Sequence, residues 1–338
     1  QARFERLTSE LRARAETARE EAVTGRMADI ATGRRGAVAE VVGIEKRLGD
    51  LERYQEAIAL AQGRAGAAQT TLSGLVDGAV TLANDAQRAL QDSAAVSLAT
   101  VSSVARDTLG TMIGQLNASC AGRPGFGGDA GGGPAVLPAQ AILDGVGQIV
   151  ADGVAAADDA GTILAAIDRA FFDPGDPDYL DPYRGGAGDA PALEAAPGER
   201  IAYHARADER AILETVRNVA TVAAALDPAT PVATGRALAS LALEGGEPVP
   251  GTPLSGLRDV IDPLNRISAR IGSAEARIET VRVRNTAEET RLAAVYNDLT
   301  GRDRLEAAGR MQAVEGQLET LFLTTSRLSR LNLAAFLR

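Results

Sequence analysis

His204 and Cys120 are the only histidine and the only cysteine in 338 residues. An imidazole or a thiol does chemistry in company: three or four ligands for zinc, or a nucleophile, a base and an orienting group for a triad. One of each leaves too few parts. No catalytic residue, no metal site, no cofactor and no disulfide within the chain are expected, so the chain reads as something other than an enzyme. Cys120 reads as a small hydrophobe near a helix end, and His204 as a strand residue. Four aspartates, Asp173, Asp176, Asp178 and Asp181, have the oxygen chemistry of a calcium site. Pro174, Pro177 and Pro182 interrupt them, so a solvated turn is expected instead. Gly125-x-Gly127-x-x-Ala130 has the form of a relaxed dinucleotide fingerprint. No strand pattern precedes it and Gly-Gly-Pro follows it, the wrong context for phosphate binding.

With little chemistry to position, the elements themselves become the subject. From Ile261 to Arg338 the chain reads as helix almost throughout. Ile267, Ile271, Ile278, Val281, Leu292, Val295 and Leu299 fall three or four apart or at multiples of that spacing, and the pattern resumes from Leu305 through Val314, Leu318 and Leu321 to Leu328, Leu331, Leu333 and Phe336. Thr300-Gly-Arg-Asp303 interrupts it and reads as a capping box with Thr300 as N-cap. A stripe this long needs a partner of similar length. The N-terminal segment offers one, with Phe4, Leu7 and Leu11 as its apolar positions and a break at Thr24-Gly25.

Between these ends the pattern predicts helices over 37–60 and 64–116, a Gly- and Pro-rich turn or linker over 120–134, and helices at 141–154, 158–172, 207–226 and 232–243. Strands are expected only within 188–206. Thr252-Pro253 reads as the N-cap and first residue of the C-terminal helical block.

Aromatic residues are 3% of the chain and the net charge is −10. Few aromatics disfavour a large enzyme core, and an acidic chain disfavours nucleic acid as a partner. No apolar run approaches the 18 or more residues of a membrane span, so no membrane insertion is expected. No cleavable signal peptide is read.

The expected fold class is therefore mainly α: a long antiparallel helical bundle or coiled coil formed by the N- and C-terminal segments, with an irregular α+β insert in the middle. Three domains are expected: a terminal helical domain of 1–24 with 305–338, a helical bundle of 25–117 with 256–304, and an outer insert of 118–255. Phe4, Leu7, Leu11, Leu318, Leu321, Leu328, Leu331, Leu333 and Phe336 would form a subunit-packing stripe, because an apolar surface of that size on a lone molecule marks an assembly site. A head-to-tail interface of that kind builds a ring or an open helical array.

Several motifs, in order, resemble the bacterial flagellins and flagellar hook-associated proteins. Tyr296-Asn-Asp-Leu-Thr-Gly-Arg-Asp303 with Glu306-Ala-Ala308 is similar to the family's segment before the last helix. Gln317-Leu-Glu-Thr-Leu-Phe322 and the run from Thr325 to Leu337 resemble the Leu-Ser-x-Leu-x-Leu ending of the members found at the hook–filament junction. Glu21-Ala-Val-Thr-Gly-Arg26, Asn117 through Gly128, and Tyr183-Arg-Gly185 resemble the turn after the first helix, the end of the N-terminal helical pair and a middle-region Tyr-x-Gly. The resemblance implies an extracellular structural protein of cell motility, located in the flagellum at the hook–filament junction. It implies secretion by the flagellar export apparatus without a cleavable signal, and terminal helices that order on assembly. The partners implied are further copies of the chain, flagellin, hook-associated protein 1 and an export chaperone.

Overall fold

Helix forms wherever the apolar residues recur every three or four positions, and the architecture is mainly α. The computed structural model describes residues 2–28, 38–92, 95–249 and 252–336. Its long helices are α1 (Ala2–Thr24), α2 (Val38–Gln91), α3 (Ala95–Leu116), α8 (Ile261–Thr300) and α9 (Arg304–Phe336). The middle of the chain holds α4 (Ala139–Ala156), α5 (Ala160–Phe172), α6 (Arg210–Ala225) and α7 (Val232–Glu244). Three two-stranded antiparallel hairpins complete the described elements: β1–β2 (Ser119–Cys120, Arg123–Pro124), β3–β4 (Leu193–Ala196, Glu199–Ile201) and β5–β6 (Gly246–Val249, Thr252–Leu254). The long helices α2 and α8 pack against each other as a bundle. The chain divides into two compact units, Gln1–Arg53 with Val283–Arg338, and Tyr54–Arg282.

In the second unit α2 and α8 run antiparallel. Their apolar seam is marked by Ile58, Ala65, Leu72 and Leu75 on α2 and by Ile267, Ile271 and Ile278 on α8, all buried. One edge of that seam is polar and periodic. Gln55 donates to the Arg282 carbonyl (3.3 Å), Gln62 to Glu279 Oε2 (3.1 Å) and Gln69 to the Ser268 carbonyl (2.8 Å). Glutamines seven residues apart sit at one position of a heptad, so the same side chain repeats along the seam and sets its register.

The core of this unit is α6, which packs against α3, α4, α5 and α7. Every residue from Ala211 to Ala225 is buried. A helix enclosed on all sides must satisfy its polar side chains internally. Thr215 and Thr221 donate to carbonyls four residues back, and Ser102 of α3 donates to the Ala223 carbonyl (2.7 Å). Arg217, whose side chain has no exposed surface, forms an ion pair with Asp168 of α5 and donates to the Ser255 carbonyl (2.6 Å) and to Asn218 Oδ1 (3.1 Å). Burial pushes its guanidinium below the ordinary arginine range, and the Asp168 carboxylate opposes that.

Four local expectations are corrected. Strands are expected only within 188–206, yet the hairpins β1–β2 and β5–β6 lie outside that range. The two helices expected over 37–60 and 64–116 are instead one helix to Gln91 and another from Ala95, because Ala61-Gln62-Gly63 carries a single glycine, too weak a breaker to stop a helix packed along its length. The C-terminal end of α2 is capped from outside its own sequence: Arg236 of α7 donates to the carbonyls of Leu90 and Asp92. Thr252-Pro253 lies in β6 rather than opening a helix, and α8 starts at Ile261, with Pro263 in the first turn where a missing N–H costs nothing. His204 lies just beyond β4 rather than in a strand.

Asp168→Ala is expected to destabilise the protein by about 3–5 kcal/mol, since it strands a buried guanidinium. Replacing both partners with apolar residues (Asp168→Leu, Arg217→Met) is expected to cost much less. Urea unfolding midpoints distinguish the two; equal losses would contradict this account of the network.

Candidate assembly interface

The first unit is organised around two turns that meet. The α1 helix ends where Gly25 takes a left-handed conformation, φ +69°, and donates its N–H to the Glu21 carbonyl (2.8 Å). A side chain there would be strained and would meet Arg304 Nε at 2.7 Å. The Met27 N–H bonds the Thr300 carbonyl (2.7 Å) and the Arg302 N–H bonds the Gly25 carbonyl (2.9 Å), pairing Arg26 with Gly301 in an isolated antiparallel bridge. Thr300 is not the N-cap expected of it: α8 runs through it and its hydroxyl donates to the Tyr296 carbonyl (2.7 Å). Asp303 caps α9 instead, accepting from the N–H groups of Leu305 (2.8 Å) and Glu306 (3.4 Å). The adjoining helices are tied by Arg47–Glu288 (2.8 Å) and by the Tyr296 hydroxyl donating to Glu45 (2.9 Å).

The joint places α1 alongside α9. On α1 the covered positions are Phe4, Thr8, Leu11, Ala15, Ala18 and Ala22, with Leu11 and Ala18 buried and the others half-buried. On α9 they are Ala307, Met311, Val314, Leu318 and Leu321. Phe4, Leu11, Leu318 and Leu321 thus lie on the face where the two helices meet. Leu7 lies at its edge, 44% exposed. The side chains of Leu328, Leu331, Leu333 and Phe336 lie outside the described residues. Beyond the seam, Val23, Leu305, Phe322 and Leu323 are half to almost fully exposed. Helix pairs with so narrow a buried strip are marginal on their own.

In the second unit, two stretches singled out in the sequence come together. The 120–134 segment, expected as a turn or linker, is a turn-rich, built joint. Asn117 clamps it by accepting from the Val136 N–H (2.8 Å) and donating to the Val136 carbonyl (3.0 Å). The Gly186 N–H reaches the Gly127 carbonyl (2.9 Å), Asp129 and Gly188 exchange hydrogen bonds, and the Tyr183 hydroxyl donates to the Gly186 carbonyl (2.9 Å). Gly128, at φ +61°, is packed so closely that a Cβ would meet the Gly188 carbonyl at 2.4 Å. Phe126 is buried, and its carbonyl accepts from Ala207.

His204 and Cys120 line one small cavity of about 60 Å3 with Arg64 and Tyr203. His204 Nδ1 and Arg64 Nε are buried without a hydrogen-bond partner. Burial holds the imidazole below its ordinary pKa; Asp189 and Glu209 draw it up and Arg270 pushes it down. Among the described residues no group of three or more His, Cys, Asp or Glu is placed to hold a metal ion, and no helix is long and apolar enough to cross a membrane.

Sequence reasoning missed Glu21, Arg302 and Arg310, which come together beside the seam: Glu21 lies 3.8 Å from Arg302 and 3.5 Å from Arg310. In a sequence they read as solvated charges; only the pairing of the helices buries Glu21 and half-buries the two arginines.

The His204 shift has a testable sign. The folded state holds a proton less readily than the unfolded chain, so this contribution is complete above the unfolded pKa of about 6.5. It is lost as pH falls from there toward the lower folded pKa. Denaturant unfolding between pH 8 and 5 is expected to show this loss in the wild type and a flatter profile in His204→Gln; parallel profiles would contradict it. Comparison with models of known protein families finds no match to this chain, and comparison with curated proteins finds none.

Proposed function

We propose that this chain is a structural subunit of the bacterial flagellum: a hook-associated protein 3, the junction between hook and filament. The reading makes it a non-enzymatic protein, secreted by the flagellar export apparatus and polymerised through its terminal helices. One observation carries the reading. The first and last helices pair with each other through the Arg26–Gly301 bridge and leave Leu305, Phe322 and Leu323 exposed. A pair that covers only one narrow strip is suited to completion by neighbouring subunits, and a chain whose ends order on assembly has to be built this way.

The order of motifs along the chain adds support. The segments resembling family signatures are the ones engaged in joints: Thr24–Arg26 with Thr300–Asp303, and Asn117–Gly128 with Tyr183–Gly186. Flagellin itself is the second reading. The Leu-Ser-x-Leu-x-Leu character of Leu328–Leu333 favours the junction protein, and so does a middle region built on the enclosed helix α6 rather than on extended sheets. A non-flagellar coiled-coil assembly protein would account for the helix pair but not for the order of the motifs.

A strain lacking this chain is expected to keep its hooks and release flagellin unassembled. Normal filaments in that strain would contradict the junction role, and loss of flagellin alone would select the filament role. Leu321→Asp is expected to block incorporation while leaving secretion intact, measured as protein recovered in the medium against protein recovered in sheared flagella. Normal incorporation would remove this helix pair from the subunit contact.

A further inference from the structure

Beside the α1–α9 seam runs a groove of about 550 Å3 whose lining includes Ala13, Ala18, Ala313 and Val314, with Ala13 and Ala313 exposed. Arg302 and Arg310 stand in its wall with Glu21. Arg302 Nε and both Arg310 Nε and Nη2 are buried and make no hydrogen bond. Glu21, at 3.8 and 3.5 Å, is near enough for ion pairing but too far for good hydrogen bonds. It is already engaged by the Ala28 N–H (3.3 Å). Glu306, the other carboxylate near Arg310, is 3.8 Å away. The two guanidinium groups are not sealed in: the Arg302 and Arg310 side chains remain 29% and 40% exposed, and a carboxylate is the group that bonds such an exposed, weakly paired cation with short, charge-assisted hydrogen bonds.

The opposite flank of α9 supplies that group. Glu319 and Phe322 are exposed there, with Arg12 held 5.8 Å from the Phe322 ring centre. Glu319 follows Arg310 by nine residues, and Phe322 follows Ala313 by nine. Nine residues are about two and a half helical turns, so each pair projects to opposite sides of α9. The groove on one flank and the ridge on the other therefore carry complementary chemistry in matching order: cation then small residue, anion then ring.

We propose that the groove receives the Glu319–Phe322 ridge of a second copy of this chain, Glu319 bonding Arg310 and Arg302 while Phe322 covers Ala313. This rests on the assembly reading above and names the contact that reading leaves open. Parallel neighbours joined this way are offset along the helix axis by nine residues, about 14 Å. Groove and ridge are different surfaces of one chain, so the contact is head-to-tail and every copy can carry two neighbours, as a ring or open array requires.

The test uses the full chain. Sedimentation velocity over a concentration series is expected to show self-association that Glu319→Arg, a change at an exposed site, weakens about tenfold or more. Arg310→Glu is expected to do the same, and mixing the two variants to restore association. With Cys120→Ser as background, Ala313→Cys in one chain and Phe322→Cys in another are expected to form an intermolecular disulfide on mixing. Thermal unfolding by circular dichroism identifies any variant that fails to fold, in which case Glu319→Arg and the Phe322→Cys cross-link decide the matter. Association that is unchanged by Glu319→Arg, with no 313–322 cross-link, overturns this docking while leaving the assembly reading intact. Normal self-association of the variants with loss of binding to purified flagellin assigns the groove to a different chain and also overturns it. A wild-type chain that is monomeric at every concentration, in a strain whose filaments need no junction subunit, overturns both.

Discussion

Two helices lying side by side can each hide only one stripe, and the first unit depends on that limit. The α1 and α9 helices meet along Phe4, Leu11, Ala18 and Leu318, and whatever stands on another face remains in water. Leu305 and Leu323 are eighteen residues apart, about five turns, so they fall on one line of α9 facing away from α1. Their exposures of 85% and 60% follow directly from that geometry. Covering that line takes a third helix, and none of the described residues of this unit covers it.

The second unit resolves the same problem inside the chain. There α6 is enclosed by α3, α4, α5 and α7, so even its threonines, Asn218 and Arg217 are out of water. Enclosure on that scale is possible because the faces of α6 not occupied by Ile212, Val216 and Val219 carry mostly Ala and Thr, which let neighbouring helices approach. The charge that enters with Arg217 is balanced by Asp168 and by the Ser255 carbonyl, which fixes the chain entering α8 against α6. Local stability is therefore expected to be graded, high around α6 and low along the α1–α9 pair.

The helices were legible because periodicity is local. The spacing of Ile142, Val146 and Ile149 and the run through Ile163, Leu164 and Ile167 mark α4 and α5 to within two or three residues of their ends. Thr24-Gly25 marked the end of α1 for a reason that can be stated: Gly25 needs positive φ. What was not legible arose between segments distant in sequence. Nothing near Asp92 says that Arg236 will cap α2. Nothing in the 120–134 glycines says that they pack on Gly186 and Gly188 rather than remain a linker. Among the site residues, periodicity placed Phe4, Leu11, Leu318 and Leu321 on the apolar stripe, and the structure places that stripe between α1 and α9. Leu7 belongs to the same sequence pattern, yet it falls at the seam's edge, because a stripe on so slender a pair is narrower than the pattern suggests. Glu21 and Arg302 stand in motifs that the sequence displays, yet nothing there signals their meeting with Arg310, since charged residues at helix surfaces and turns usually face water.

The central claim is that the terminal helices are incomplete until another chain covers them, while the middle of the molecule is complete alone. Amide hydrogen exchange on the full-length protein, compared between dilute solution and assembled material, tests it most directly. The account predicts that in dilute solution the amides of α1 and α9 exchange far faster than those of α6, and that assembly slows α1 and α9 while leaving α6 unchanged. Equal protection of α1, α9 and α6 in the isolated molecule would contradict it.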